Sequence, residues 1–350
     1  MKTLGFSARW RTRSAGVMAA SVLVAGLALV VGTGVGAGAA TATQLTVGYI
    51  PATTAGGIPA IGDKFGWFKK EGLDIKWAPF TSGPAQAAAM AGGSLDISYL
   101  GGPAIWTSVK GIGKIVGLSD LSYDIFLLAR PDSGIKSVRD LKGQRVGFSQ
   151  GNASHMFLLM SLESAGMSFS DVKTTAMDPP TAVSAFLSGA VPAVSVFAPF
   201  AGTILEKEPG TVVLKQSRNF ANTPLPGVLV ASDKLLEENP GALKKFLRVA
   251  VKATEYRARH RSDTVNAVAR FAKVPRGPLF KQYDLEYWIR PAAILRSYQT
   301  GRFVAWVRKM QELQVRMGVL SEIQPASTFM RLGLHTAALK EYLAAQKKPK

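Results

Sequence analysis

The chain has 350 residues, 42 Lys and Arg against 23 Asp and Glu, 47% hydrophobic residues and no cysteine. That length holds one large or two medium domains with a sizeable core, and a charged fraction of 19% excludes an unstructured chain. The lack of cysteine excludes disulfides, thiolate metal sites, a cysteine nucleophile and a lipid-modified N-terminal Cys. Three histidines spread along the chain, His155, His260 and His335, speak against a metal centre.

The formal charge of +19 would by itself suggest nucleic acid, a membrane surface or an anionic ligand. Its distribution says otherwise. Lys2, Arg9, Arg11 and Arg13 open a stretch whose residues 15–31 are apolar and whose small residues continue to Ala42. This is the pattern of an export signal over residues 1–42, with A-x-A cleavage patterns at Ala37–Ala39 and Ala40–Ala42. The apolar run is shorter than the ~20 residues of a membrane span. The mature protein is expected to be periplasmic, soluble and not lipid-anchored. Residues 43–234 carry 16 basic and 14 acidic residues, whereas residues 235–350 carry 22 and 9. The basicity therefore belongs to the C-terminal part, read as solvated helix faces, and nucleic acid is not expected as a partner.

From Leu45 short apolar runs alternate with helical patterns. Residues 45–50, 74–80, 95–101 and 113–119 read as strands, with helices predicted over 58–70, 84–91 and 103–110. The alternation argues for an α/β fold with mostly parallel sheets flanked by helices. The same grammar restarts at 144–150 and continues with a helix behind Asn152 and strands in VKTTAM and AVSVFA. At an offset of 96 residues, Thr81–Pro84 faces Met177–Pro180, and Gly93 to Pro103 faces Gly189 to Pro199. Two lobes are expected, joined by crossings at 123–131 and 224–232. Lobe 1 is assigned to 43–124 plus 231–350 and lobe 2 to 125–230. Beyond Ser232 the pattern is almost wholly helical, with Asn239-Pro240 as an N-cap and first-turn pair.

Ligands of open α/β sheets sit at the carboxyl ends of strands, where helix N-termini offer unpaired N–H groups. Small or hydroxyl residues recur at these junctions: Thr53 and Thr54, Ser82 and Gly83, Gly101 and Gly102, then Asn152 and Ser154 in the second lobe. Singly each is an ordinary cap or turn; together, across a cleft, they would hold a small oxyanion without Lys or Arg. Tyr49 and Phe197 are candidates to wall that cleft, Trp106 is a cleft wall or a core residue, and His155 is a hydrogen-bond donor or a structural histidine. Asp124, with Asp120 close by, would meet a ligand ammonium group or cap a loop. No G-x-S-x-G, H-E-x-x-H, Walker-A or strand-linked G-x-G-x-x-G pattern occurs. No catalytic residue, metal or cofactor is therefore assigned.

Residues 46–104, with Gly48-Tyr49, Gly66-x-Phe68-x-x-Glu71-Gly72-Leu73, Ser82-Gly83 and Gly93-x-Leu95-Asp96 in order, resemble the first lobe of solute-binding proteins of nitrate/sulfonate/taurine ABC importers. Ser137-x-x-Asp140-Leu141-Lys142-Gly143, Asn152–His155, Pro179-Pro180 and Phe197-Ala198-Pro199 continue the likeness. The resemblance implies a two-lobed type II periplasmic binding fold that delivers a small organic anion to an inner-membrane permease as a monomer. It implies anion contacts from Ser82-Gly83, Gly101-Gly102 and Asn152 to His155, and an aromatic wall at Phe197. Pro226 stands where taurine binders commonly carry an acid, which favours a simple sulfonate or related anion. The alternative is an enzyme on the same fold acting on a small acidic metabolite.

Overall fold

The computed structural model describes residues 42–220 and 224–347, so the expected leader, Ala42 apart, lies outside the described residues. Four strands precede the first crossing: β1 (Thr43–Tyr49), β2 (Leu73–Pro79), β3 (Ile97–Leu100) and β4 (Lys114–Ser122). Then come β5 (Ile125–Ala129), β6 (Arg145–Phe148), β7 (Lys173–Ala176), β8 (Ala193–Phe197) and β9 (Val212–Gln216), and finally β10 (Leu225–Ala231). They form two sheets of the same pattern, β2-β1-β3-β10-β4 and β7-β6-β8-β5-β9. Strand β1 in the first sheet and β6 in the second each lie parallel between two others. Each sheet's antiparallel strand, β10 or β5, is the one by which the chain arrives from the other lobe.

The 96-residue offset has a structural counterpart. Helix Gly83–Ala91 follows its N-cap Ser82 as helix Pro179–Leu187 follows Asp178. The turns that end these helices place Gly93 and Gly189 at φ 73° and 78°, left-handed values that a residue with a Cβ adopts only under strain.

Local differences from the sequence reading have physical causes. The helix predicted over 58–70 starts earlier, at Thr53, and breaks after Lys64, where Gly66 turns left-handed at φ 61°. The helix predicted over 103–110 is a 3₁₀ turn, Gly102–Ala104, followed by the short helix Trp106–Val109. Strand β4 runs on to Ser122, beyond the end expected at 119, because its pairing with β10 continues through Asp120↔Gly227 to Ser122↔Leu225. Since the whole of β10 pairs in the first sheet, the chain has returned to that sheet by Leu225, earlier than the boundary drawn at 230.

The C-terminal helices cover the first sheet. Helix Pro240–Arg259 opens on Asn239, whose side chain accepts a hydrogen bond from the Ala242 N–H at 3.0 Å. Its buried positions include Leu243, Phe246, Leu247, Ala250, Ala253, Thr254 and Arg257, the three-and-four spacing of one helix face. Phe246 stacks on Phe68 and meets Tyr99 of β3. Phe246→Ala should lower the unfolding free energy by about 3–5 kcal/mol, read as a shift in the chemical denaturation midpoint; a shift of under about 1 kcal/mol would show that the covering helix is not part of this core.

Candidate functional site

Between the two sheets, at the carboxyl ends of β1, β3 and β8, lies a cavity of about 70 Å³. At roughly 10–15 Å³ per water-sized sphere it has room for about five to seven heavy atoms. The first lobe supplies Thr54 and Ala55 from the helix after β1, Gly83, and the Gly101-Gly102-Pro103 turn after β3. Ser119, Asp120 and Ser122 come from β4, and Leu225 and Gly227 from β10. The second lobe supplies Asn152 and Ala153 at the start of helix Ala153–Glu163, with Phe197 and Ala198 at the end of β8. Asp124 sits where the chain first crosses. At the rim, Trp106 Nε1 donates to the Gly151 carbonyl at 2.7 Å, a direct bond between the lobes.

The chemistry of the lining is set by acids. Asp120 and Asp124 are 3% and 4% exposed, and no lining residue is Lys, Arg or His. The Ser119 hydroxyl donates to Asp120 Oδ2 at 2.6 Å. The Asp120 carboxylate also lies where a Cβ on Gly227 would be, so only glycine fits opposite it. Asp124 accepts from the Ser122 hydroxyl and, at 2.9 Å, from Gln282 Nε2. Burial raises the pKa of both aspartates; the Arg257 charge opposes this at Asp120, and the Ser122 and Gln282 hydrogen bonds oppose it at Asp124.

Behind them stands Arg257, fully buried, donating from Nη1 to the Thr54 carbonyl at 2.6 Å and from Nη2 to the Ser119 carbonyl at 2.7 Å. A Cβ on Gly57 would lie 2.7 Å from its Cδ, so that glycine makes room for the stem. Glu286 completes the cluster. Burial, followed by repulsion from Asp124 and Asp120, pushes its carboxyl well above the usual range. Two buried lining groups have a polar atom without a partner among the described residues: Asn152 Nδ2 and Tyr99 Oη.

Of the residues singled out from the sequence, Thr54, Gly83, Gly101, Gly102, Asp124, Asn152 and Phe197 line the cavity. The others have different partners. Tyr49 packs edge-on to Trp77 and against Phe271. Thr53 gives its N–H to Gln282 Oε1 at 2.9 Å, and Ser82 is the N-cap of helix Gly83–Ala91. Ser154 is engaged with the Ser149 N–H and Asn152 Oδ1. His155 lies between Phe148 and Phe169, accepts from the Gly151 N–H, and has its pKa lowered by burial to about 4; it is a neutral acceptor that does not line the cavity. The sequence reading passed over Ser119, Tyr99, Gly227, Arg257, Gln282 and Glu286. For Arg257 a signal existed: it continues the apolar stripe of helix Pro240–Arg259, where a charged residue must be buried.

Two α/β sheets of the same strand order, with a small cavity at their strand ends, define the type II periplasmic binding protein fold. Residues 38–272 match the NMT1-like family, and the chain belongs to it. A candidate binding protein of Brucella abortus is 32% identical over 81% of this chain and 89% of its own length. A candidate aliphatic sulfonates-binding protein of Bacillus subtilis is 31% identical over 59% of this chain and 64% of its own. Among solved structures, the alkanesulfonate-binding protein SsuA of Xanthomonas axonopodis pv. citri, bound to MOPS, superposes with a TM-score of 0.68 at 20% identity, covering 83% of this chain and 99% of that one. The periplasmic nitrate-binding protein NrtA of Synechocystis PCC 6803 gives 0.71 at 14%, covering 88% and 90%. The desulfurization enzyme DSZB shares the fold at 0.62 and 15%, covering 86% and 99%. No helix of the described residues is long and apolar enough to cross a membrane.

The carboxyl cluster should register in the pH dependence of stability. Folding favours the protonated form of Glu286, so its contribution is complete below the unfolded value near 4.5 and is lost as pH rises through the raised folded value. Glu286→Gln, permanently neutral, should flatten the fall in Tm as pH rises above about 4.5. Parallel Tm profiles for wild type and variant would rule out this assignment.

Proposed function

We propose that this chain is the exported, soluble solute-binding component of an ABC importer, acting as a monomer. It captures a small molecule with an oxygen-rich end between its lobes and presents the closed form to an inner-membrane permease. Lobe 1 comprises 43–124 with the C-terminal part from Leu225, and lobe 2 comprises the residues between. The observation that carries the reading is the cavity itself, which neither lobe completes alone: Gly101-Gly102 and Asp120 face Asn152 and Phe197 across it. Helix Ala153–Glu163 begins at the cavity wall, where Asn152 and Ala153 line the space, and a helix N-terminus suits an anionic or carbonyl oxygen. The named relatives support binding rather than turnover, and we propose that the ligand leaves chemically unchanged, although DSZB shows that the fold also serves an enzyme.

The reading predicts saturable one-to-one binding of a small solute by calorimetry, with a decrease in radius of gyration by small-angle scattering. A folded chain that neither binds nor closes with any member of a sulfonate, carboxylate, amino acid and nitrate panel would sink it. Trp106→Phe removes the indole N–H that reaches Gly151 across the cleft. It should weaken binding about three- to tenfold, the worth of one such hydrogen bond, while leaving the melting temperature close to wild type.

A further inference from the structure

We infer that the ligand carries a protonated nitrogen, seated against Asp120 and Asp124, in addition to an oxygen-bearing end directed at Asn152. This rests on the binding reading above and names the chemical class that the cavity takes. The first argument is charge. Removing a carboxylate from water without a partner costs several kcal/mol, yet both aspartates are almost wholly buried and line the space. Neither forms an ion pair among the described residues. Arg257 supplies one positive charge nearby, but its Nη groups are directed to the Thr54 and Ser119 carbonyls. Three carboxyl groups, Asp120, Asp124 and Glu286, thus share one guanidinium, and no residue lining the cavity is basic. A ligand cation supplies the missing counter-charge, whereas a simple anion would add to the excess of acid.

The second argument is hydrogen bonding. An ammonium group has three donors and no acceptor, which suits carboxylates whose own donors come from only one side. Ser119 serves Asp120, and Ser122 with Gln282 serves Asp124. Independently of the acids, the cavity contains a donor that awaits an acceptor. Asn152 is 4% exposed and its Nδ2 has no partner among the described residues. The Tyr99 hydroxyl, also buried and unpartnered, lines the first-lobe wall. Acceptors on one wall and a free amide donor on the other describe a molecule with a basic and an oxygenated end. The acid that the sequence reading looked for on the returning strand, where Pro226 stands, is supplied next door: Asp120 reaches over Gly227 of β10 from the adjoining β4.

The test is calorimetry on the full mature chain with matched probes: 2-aminoethanesulfonate against ethanesulfonate, and 3-aminopropionate against propionate. The amine-bearing member of each binding pair should bind at least about tenfold tighter, the worth of one charge-assisted hydrogen bond. Asp120→Asn and Asp124→Asn should each reduce that preference, with folding checked by circular dichroism; Asn152→Ala should weaken both members of a pair alike. Equal or tighter binding of the amine-free members to the wild type overturns this inference and leaves the binder reading intact, without reliance on any variant. If no probe binds, native mass spectrometry of protein from periplasmic expression decides. An adduct containing basic nitrogen upholds the inference, a nitrogen-free adduct overturns it alone, and no adduct overturns it together with the binder reading.

Discussion

A guanidinium shut away from water must find oxygen atoms at fixed places, and the first lobe is arranged around that demand. Arg257 lies on the inward face of helix Pro240–Arg259, 0% exposed, and its two terminal nitrogens donate to the carbonyls of Thr54 and Ser119. One carbonyl belongs to the first turn of the helix after β1 and the other to β4. A single side chain thus holds two cavity walls that lie far apart in sequence, from a helix that contributes no lining residue itself. Tyr283 adds a bond to the Arg257 carbonyl at 2.6 Å, and Trp288 lies under the guanidinium. These contacts also fasten helix Arg276–Leu285, whose Gln282 bridges the Thr53 N–H and the Asp124 carboxylate.

The same arrangement explains why acids can line an enclosed site. A buried carboxylate shifts toward its neutral form unless charges and donors hold it ionised. Arg257 does this for Asp120 from behind, at the distance of a neighbour rather than of an ion pair, and hydroxyl and amide donors help on the flank. Glu286 bears the repulsion of both aspartates, which outweighs its hydrogen bond to the Tyr123 backbone. The cluster is graded, with its most easily neutralised member outside the cavity and its two better-held members facing in.

The fold was largely legible because hydrophobic periodicity and the Gly/Pro punctuation of βα units are local signals. The repeat at 96 residues survived because Ser82 and Asp178, and Gly93 and Gly189, occupy the same turns in each lobe. The site was legible only where it uses those turns, as at Gly101-Gly102 and Asn152. What escaped was set by long-range packing. Asp120 reads as a companion of Asp124, for an ammonium group or for a loop cap, until β10 pairs beside it and Gly227 leaves space for it. Arg257 was counted with the basic, solvated C-terminal residues, though its position on the helix stripe buries it. His155 drew attention by residue type, but its neighbours Phe148 and Phe169 turn it into a packing element.

The place of β10 also bears on how the chain comes to be folded. It lies between β3 and β4, in the interior of the first sheet, so β4 stays unjoined to β1, β2 and β3 until residues 225–231 arrive. No N-terminal fragment ending before Leu225 can close that sheet, and the pairings it needs join residues 103 to 134 positions apart. Such late, non-local closure slows folding. It keeps β4 apart from the first three strands until the second lobe has been made.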